Sequence, residues 1–492
     1  MEKYLLHIDG ERRASSTGEF FESDNPFEGR PWAQIARGNS DDVDRAVTAA
    51  HRAMTSGPWA EMTQSHRGLV LTTIADHLAQ NAELLACIEV RDNGKLYSEM
   101  LGQCQYLPNW FRYYGGLADK IEGTVVPIDK PGYFAYTQKS PVGVVGIITP
   151  WNSPLLLLVW KLAPALAAGC SVVIKPSEYT SASTLEFVRL LEEAGLPAGV
   201  VNVVTGFGVE VGSPLVDHPL VRKISFTGSD ATGRRIGEQA SRQFKHVSLE
   251  LGGKSPNIVF EDADIESAVN GAVSGIFAAT GQTCIAGSRL LVQRSIHDEV
   301  VEKVVALARS ARMGDPMDSQ TQVGPVTTRD QFDKVLHYID VGREDGATLA
   351  LGGKAATGGD CGNGWFVEPT IYTGVNNASR LAQEEVFGPV LAVIAFDTEE
   401  EAVAIANDSR YGLGAGVWTQ NMGRAFRVSA AVHSGTVWVN TYRAVSYMMP
   451  FGGFKDSGLG RENGIGAVDD YLETKSVWIN TGAPVGNPFV MR

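Results

Sequence analysis

The chain is predicted to be an α/β protein with a doubly wound parallel sheet, a second α/β domain and a small β element outside both cores. Three observations carry this. Runs of β-branched residues alternate with helical stretches between Pro141 and Ser229, and the alternation resumes after Glu250. The 54 glycines among 492 residues also suit a chain that must turn tightly from strand to helix many times.

Taken in order, Asp41 to Val90 places apolar residues at helical spacing with charges between them, and turns are expected at Gly38-Asn39-Ser40 and at Gln64-Ser65-His66-Arg67. The texture changes at Pro141 to Ile148, a β-branched run that reads as a buried parallel strand entering the loop Thr149-Pro150-Trp151-Asn152. A helix follows from about Leu155 to Ala168, then a strand over Ser171 to Pro176, a helix from Leu185 to Ala194, and a third strand over Val200 to Val204. Strand, helix, strand, helix, strand is the Rossmann-like pattern of a nucleotide-binding sheet. Two small-residue turns extend it. Thr205 to Gly212 spaces glycines as GxGxxxG, and Lys223 to Ser229 is a strand whose Gly228-Ser229 turn opens a helix, where backbone N–H groups can meet a phosphate. The GxGxxxG spacing alone is equally a turn demanded by backbone geometry.

After Glu250, strands are expected around Asn257 to Phe260, Leu290 to Val292 and Val386 to Phe396, with a helix from about Val300 to Ala311. Lys120 to Thr137 and Thr474 to Arg492 alternate β-branched residues outside either core, and exposed strands of this kind call for a partner. Gly252-Gly253-Lys254-Ser255 imitates a phosphate-binding P-loop, but Ser248 stands where that loop's first glycine belongs, so the reading is discarded.

Composition narrows the function. A net charge of -14 disfavours polyanionic partners, both nucleic acid and anionic membrane, and favours small-molecule chemistry. The longest apolar run, Leu155 to Trp160, is too short to span a bilayer, and the N-terminus lacks a signal-peptide core, so the cytoplasm is the expected location. Five cysteines, Cys87, Cys104, Cys170, Cys284 and Cys361, are odd in number and scattered without CxxC spacing. Neither a disulfide framework nor a metal site is expected.

Among them Cys284 stands apart, in Gly281-Gln282-Thr283-Cys284-Ile285-Ala286-Gly287. An isolated cysteine is more often buried and inert, whereas glycines on both sides suit a thiol presented on a loop. Upstream, Glu250 lies between Leu249 and Leu251, where desolvation would lift its carboxyl toward the range of a general base. The pair suggests covalent catalysis followed by hydrolysis.

These motifs, in this order, resemble the NAD(P)-dependent aldehyde dehydrogenases from about Asp9 to Lys475: Thr149-Pro150-Trp151-Asn152, Lys175-Pro176-Ser177-Glu178, Phe226-Thr227-Gly228-Ser229, Leu249 to Gly253, Gly281 to Cys284, Glu385 to Pro389 and Pro450 to Gly453. The resemblance implies a cofactor domain over 1–118 and 142–252, a catalytic domain over 253–455, and an oligomerisation element over 119–141 and 470–492 that makes a homodimer or homotetramer. It implies that Cys284 attacks an aldehyde, that Asn152 and the Cys284 backbone N–H hold the oxyanion, and that Glu250 activates the water that cleaves a thioester. Lys161 and Glu462 match a proton relay, although such residues are more often structural than catalytic.

The resemblance further implies NAD as cofactor, with NADP possible. Ile148, Thr149, Pro150, Trp151, Phe226, Thr227, Gly228 and Ser229 would follow the cofactor, with Gly208 and Gly212 at its adenine end. Lys175, Ser177 and Glu178 would lie at the adenosine ribose, where a carboxylate favours a free 2′-hydroxyl over a 2′-phosphate. Leu251, Gly252, Gln331, Lys334, Glu385 and Phe387 would serve the nicotinamide end. Tyr106, Trp110, Ser153, Leu156, Trp160, Thr283, Ile285, Arg443, Val445 and Phe451 match the substrate tunnel. Arg443, with Tyr106 and Ser153, departs from more apolar tunnels and points to a polar or acidic aldehyde, such as a semialdehyde. Two other functions compete. A CoA-acylating enzyme would not need Glu250 beside its thioester, and a non-catalytic binding protein would not need Cys284, Glu250 and Asn152 together.

Overall fold

A computed structural model describes residues 1–489. Its first large sheet has eight strands, and five of them run parallel in the spatial order His246–Glu250, Val221–Thr227, Val144–Ile148, Ser171–Lys175, Val201–Val203. The chain enters in the middle, winds out one way through the second and third strands, then returns to build the other side. That reversal between Val144–Ile148 and Val221–Thr227 is a topological switch point, and ligands bind in the crevice beyond the carboxyl ends of strands at such a point. Strand Val144–Ile148 is buried at every residue, as a central parallel strand should be.

The second sheet has seven strands. In spatial order they are Thr348–Leu351, Thr370–Thr373, Val390–Phe396, Arg289–Gln293, Pro256–Val259, Gly414–Trp418 and Thr436–Val439, all parallel to their neighbours except the first. The short strand Gly458–Leu459 crosses back to the first sheet and pairs antiparallel with Leu249 and Glu250, which ties the tail of the chain to the strand that carries Glu250.

The predicted elements recur with shifted limits. The expected turn at Gln64 to Arg67 is instead the first turn of helix Gln64–Gln80, whose N-cap is Thr63; the polar cluster marked a helix start, since Thr63 accepts a hydrogen bond from the His66 N–H. The strand expected from Val386 begins only at Val390. Phe387 adopts a left-handed φ of 57°, far from the extended region of a regular strand, and the Glu385 to Pro389 stretch is a loop. Tyr133–Pro141 pairs antiparallel with Leu472–Asn480 over nine residues, so the two outlying segments are each other's partners, while 121–132 forms no regular strand. Of the predicted 470–492 element, residues 490–492 lie outside the described residues. No helix among the described residues is long and apolar enough to cross a membrane.

Candidate active site

The two sheets meet at two adjoining cavities, and the carboxyl ends of the first sheet's strands open onto the first of them. Pro150, Trp151, Thr227, Gly228, Ser229, Leu251 and Gly252 line it from the strand ends, while Gln331, Lys334, Glu385 and Phe387 close it from the second sheet's side. Cys284 and Asn152 line this cavity and the second one. Leu157, from the helix after Asn152, is also shared.

The loop of Cys284 is held on all sides. Ala279 and Thr280 precede it with left-handed φ values of 53° and 54°, a conformation of order 1–3 kcal/mol above the ordinary regions that persists only when the surroundings impose it. The imposing contacts are the Glu99 carboxylate accepting from the Ala279 N–H at 2.9 Å and the Thr280 hydroxyl donating to the Gly324 carbonyl at 3.0 Å. Gly281 is required here: a Cβ on it would stand 2.1 Å from the Gly388 carbonyl oxygen. Gln282 is fully buried and accepts from the Thr327 N–H, so it props the loop rather than facing either cavity. On the far side the Tyr442 hydroxyl donates to the Ile285 carbonyl at 3.0 Å.

Asn152 is buried, and its amide donates to the Gln282 carbonyl at 3.0 Å. The amide's nitrogen therefore faces the cysteine loop with one N–H to spare. Cys284 itself is part-exposed. Burial first, then the Glu250 and Glu385 carboxylates, push its thiol up to about 12, while Lys95 draws it down. Glu250 lines neither cavity. A Cβ on Gly452 would lie 2.9 Å from its Oε1, and neither carboxylate oxygen has a hydrogen-bond partner. Burial and the neighbouring Glu462 raise its pKa well above the ordinary carboxyl value, against the pull of Lys161 and Arg461. Lys161 and Glu462 form a buried ion pair, away from both cavities.

The residues fit a nucleotide cofactor. Thr149 and Thr227 each carry a buried hydroxyl without a partner at the strand ends, and Ser229 caps a twelve-residue helix, Asp230–Ser241, whose N-terminus suits a phosphate. Glu385 is fixed by accepting from the Gly253 N–H at 2.9 Å, an approach that only glycine at position 252 permits, since a Cβ there would meet its carboxylate at 2.3 Å. Phe387 stands edge-on to Trp151 at 5.3 Å, held by Gln331, which donates to the carbonyls of Val386 and Phe387. Lys175, the last residue of the neighbouring strand, pairs with Glu178 at 2.8 Å. Ile148, Thr149, Lys175, Ser177, Glu178, Gly208, Gly212 and Phe226 do not line the first cavity. Gly208–Gly212 forms a single π-helical turn, and the Phe226 ring packs into the core beneath Gly228.

The second cavity is about 260 Å³. Tyr106, Trp110, Ser153, Leu156, Trp160, Thr283, Ile285, Arg443, Val445 and Phe451 all line it. Its apolar wall is an aromatic stack, with Trp110 parallel to Trp160 at 6.2 Å and Phe451 edge-on to Trp160 at 5.0 Å. Lys95 and Gln103 complete the lining, and sequence reasoning missed both. Gln103 offered only a place on helix Tyr97–Tyr106, where a polar residue usually faces water, and Lys95 stands in the short link 94–96 between two helices, where a lysine is ordinarily solvated.

A part-exposed thiol beside an amide donor, between a strand-end crevice and an aromatic tunnel, is an arrangement suited to oxidoreductase chemistry. The profile of the aldehyde dehydrogenase family matches residues 13–477, and the chain belongs to that family. It is 46% identical over the whole of both chains to (Z)-2-((N-methylformamido)methylene)-5-hydroxybutyrolactone dehydrogenase of Acinetobacter baylyi. Among solved structures, an NAD+ complex of an aldehyde dehydrogenase from Bacillus cereus matches with a TM-score of 0.95 and 45% identity, covering 97% of each chain. Betaine aldehyde dehydrogenase from Staphylococcus aureus in complex with NAD+ matches with a TM-score of 0.97 and 41% identity, covering 99% of this chain and 97% of that one.

Proposed function

We propose that this NAD-dependent aldehyde dehydrogenase oxidises its substrate through Cys284, with Asn152 holding the oxyanion and Glu250 serving as the delayed base. The observation that carries this reading is that Cys284 and Asn152 line both cavities, so one thiol faces the cofactor crevice and the substrate tunnel at once. The Cys284 thiol gives its proton to water as its sulfur attacks the aldehyde carbon, and the opened carbonyl leaves a thiohemiacetal oxyanion that accepts from the spare Asn152 N–H and the Cys284 backbone N–H. A nicotinamide cofactor held by Thr227, Ser229 and Glu385 would supply the hydride acceptor, and the Cys284 adduct, having given up hydride, would be a thioester. Glu250 then swings from beside Gly452 toward the thioester and takes a proton from the attacking water. Its raised pKa suits that task. Water, rather than CoA, is the expected acyl acceptor because this base is present.

The Thr149, Thr227, Ser229 and Glu385 arrangement supports NAD binding in the crevice, and the Glu178 carboxylate supports NAD over NADP. Arg443 at the tunnel supports a polar or acidic aldehyde as substrate. Tyr133, Phe134, Trp478 and Ile479 leave 43–55% of their surface open on the outlying strand pair, which supports a homodimer or homotetramer formed along it. Five free cysteines support a reducing, cytoplasmic setting. Following NADH appearance with a panel of small aldehydes tests the reading. Turnover by the native chain and none by Cys284→Ala is the expected result, and turnover by that variant would overturn it.

A further inference from the structure

The tunnel holds a charge that its aromatic wall does not explain. Among the described residues lining the second cavity, Lys95 and Arg443 are the two with charged side chains, and no carboxylate lines it. Lys95 is 4% exposed, donates to the Ser153 hydroxyl at 2.8 Å, and forms no ion pair among the described residues. Two of its three N–H bonds are left without acceptors among the described residues, an expensive arrangement for a buried cation unless something else enters the cavity to meet it. Its position is built, not incidental. Helix Ala82–Asn93 ends at Gly94 with φ 73°, pressed between Pro26 and Pro325, and the Lys95 N–H is tied to the Asn93 side chain at 2.9 Å. Ser153 is equally buried, and its small side chain leaves the lysine facing the tunnel rather than covered by a larger neighbour.

Arg443 completes the subsite at part exposure. It takes a left-handed φ of 66°, which a bulky residue keeps only when held there, and one guanidinium nitrogen donates to the Ser274 carbonyl at 3.0 Å. The rest of its donor fork remains for a ligand. At about 260 Å³ the cavity falls just below the roughly 300–1,000 Å³ usual for drug-sized ligands, so the ligand is compact.

We propose that Lys95, Ser153 and Arg443 form a carboxylate-binding subsite, which makes short aldehydes carrying a terminal carboxylate, the ω-oxo acids, the preferred substrate class. This rests on the reading of Cys284 as the nucleophile: the aldehyde end lies at Cys284 and the acid end at Lys95. The groups that face Lys95 set its charge. Burial draws its pKa down to about 8, Glu99 and Glu89 oppose that, Arg443 adds to it, and Cys284 opposes it weakly. The cation is thus present below pH about 8 and is lost above it.

The test compares kcat/KM for succinic semialdehyde with that for butanal in the native chain, Lys95→Met, Lys95→Arg and Cys284→Ala. The native chain is expected to favour the semialdehyde, and Lys95→Met to reduce that preference about 10- to 100-fold, mostly through KM, as for a lost hydrogen bond to a charged group. Lys95→Arg should restore part of it. The native KM for the semialdehyde should rise above pH about 8 while that for butanal does not, and the arginine variant should lose this rise. A native preference for butanal, or an unchanged ratio in Lys95→Met, would overturn the subsite. Activity surviving in Cys284→Ala would instead overturn the nucleophile assignment, so the two failures are distinguishable.

Discussion

The Asn152 side chain donates to the Gln282 carbonyl at 3.0 Å, which ties the loop leaving the central strand of the first sheet to the loop that carries Cys284 on the second. One hydrogen bond thus sets the distance between oxyanion donor and nucleophile, and a substitution at Asn152 acts on both. Asn152→Ala should lower kcat by about 10²-fold or more through loss of the oxyanion donor, with only about 1 kcal/mol lost from stability. Steady-state kinetics beside thermal unfolding check this; a change in KM alone would contradict the donor role.

The Cys284 thiol, pushed up to about 12 by burial and by the Glu250 and Glu385 carboxylates, stays protonated through neutral pH in the chain without cofactor. An acid whose pKa is raised ionises only at higher pH, so alkylation of Cys284 by iodoacetamide should climb steadily past the ordinary thiol range. Glu250→Gln removes one of the two carboxylates and should shift the profile to lower pH. A plateau near neutrality in the native chain would count against this.

Glu178 pairs with Lys175 at 2.8 Å beyond the strand end. Replacing Glu178 with serine removes the group that repels a 2′-phosphate and frees the lysine to meet one. The ratio of kcat/KM for NADP+ to that for NAD+ should rise by roughly 10- to 100-fold, on the scale of one charge-assisted contact. An unchanged ratio would remove Glu178 from the ribose site.

Lys161 and Glu462 are almost fully buried, and stability separates their structural role from any relay. Lys161→Met alone strands a buried carboxylate and should cost about 3–5 kcal/mol in denaturant unfolding, whereas Lys161→Met with Glu462→Leu should recover most of it. A relay predicts that the double variant, though stable, hydrolyses its thioester slowly. Full activity in the double variant would leave the pair structural only.

The doubly wound pattern was legible because the strands at Val144–Ile148, Ser171–Lys175 and Val201–Val203 are β-branched runs, whereas the spatial order and the strand His246–Glu250, with only one β-branched residue, were not. Cys284 and Asn152 could be read together because the family motifs carry both. Lys95 could not: it reaches the tunnel through a glycine-capped helix end and a contact with Ser153 58 residues away, and nothing local distinguishes it from a solvated lysine. The pairing of Tyr133–Pro141 with Leu472–Asn480 spans most of the chain, so periodicity showed the strands but not their register. Val386 to Pro389 was read as the start of a strand because β-branched residues follow it, while the left-handed Phe387 is set by its contacts with Trp151 and Gln331. Glu250 was legible as a base but not as one turned away toward Gly452.

The central claim is that Cys284 carries the acyl group until Glu250 delivers water. Intact-protein and peptide mass spectrometry of Glu250→Gln, mixed with NAD+ and an aldehyde, tests it most directly. The expected result is about one equivalent of NADH per active site, followed by slow turnover, with the acyl mass on the peptide bearing Cys284. Rapid sustained turnover with no adduct on that peptide would contradict it.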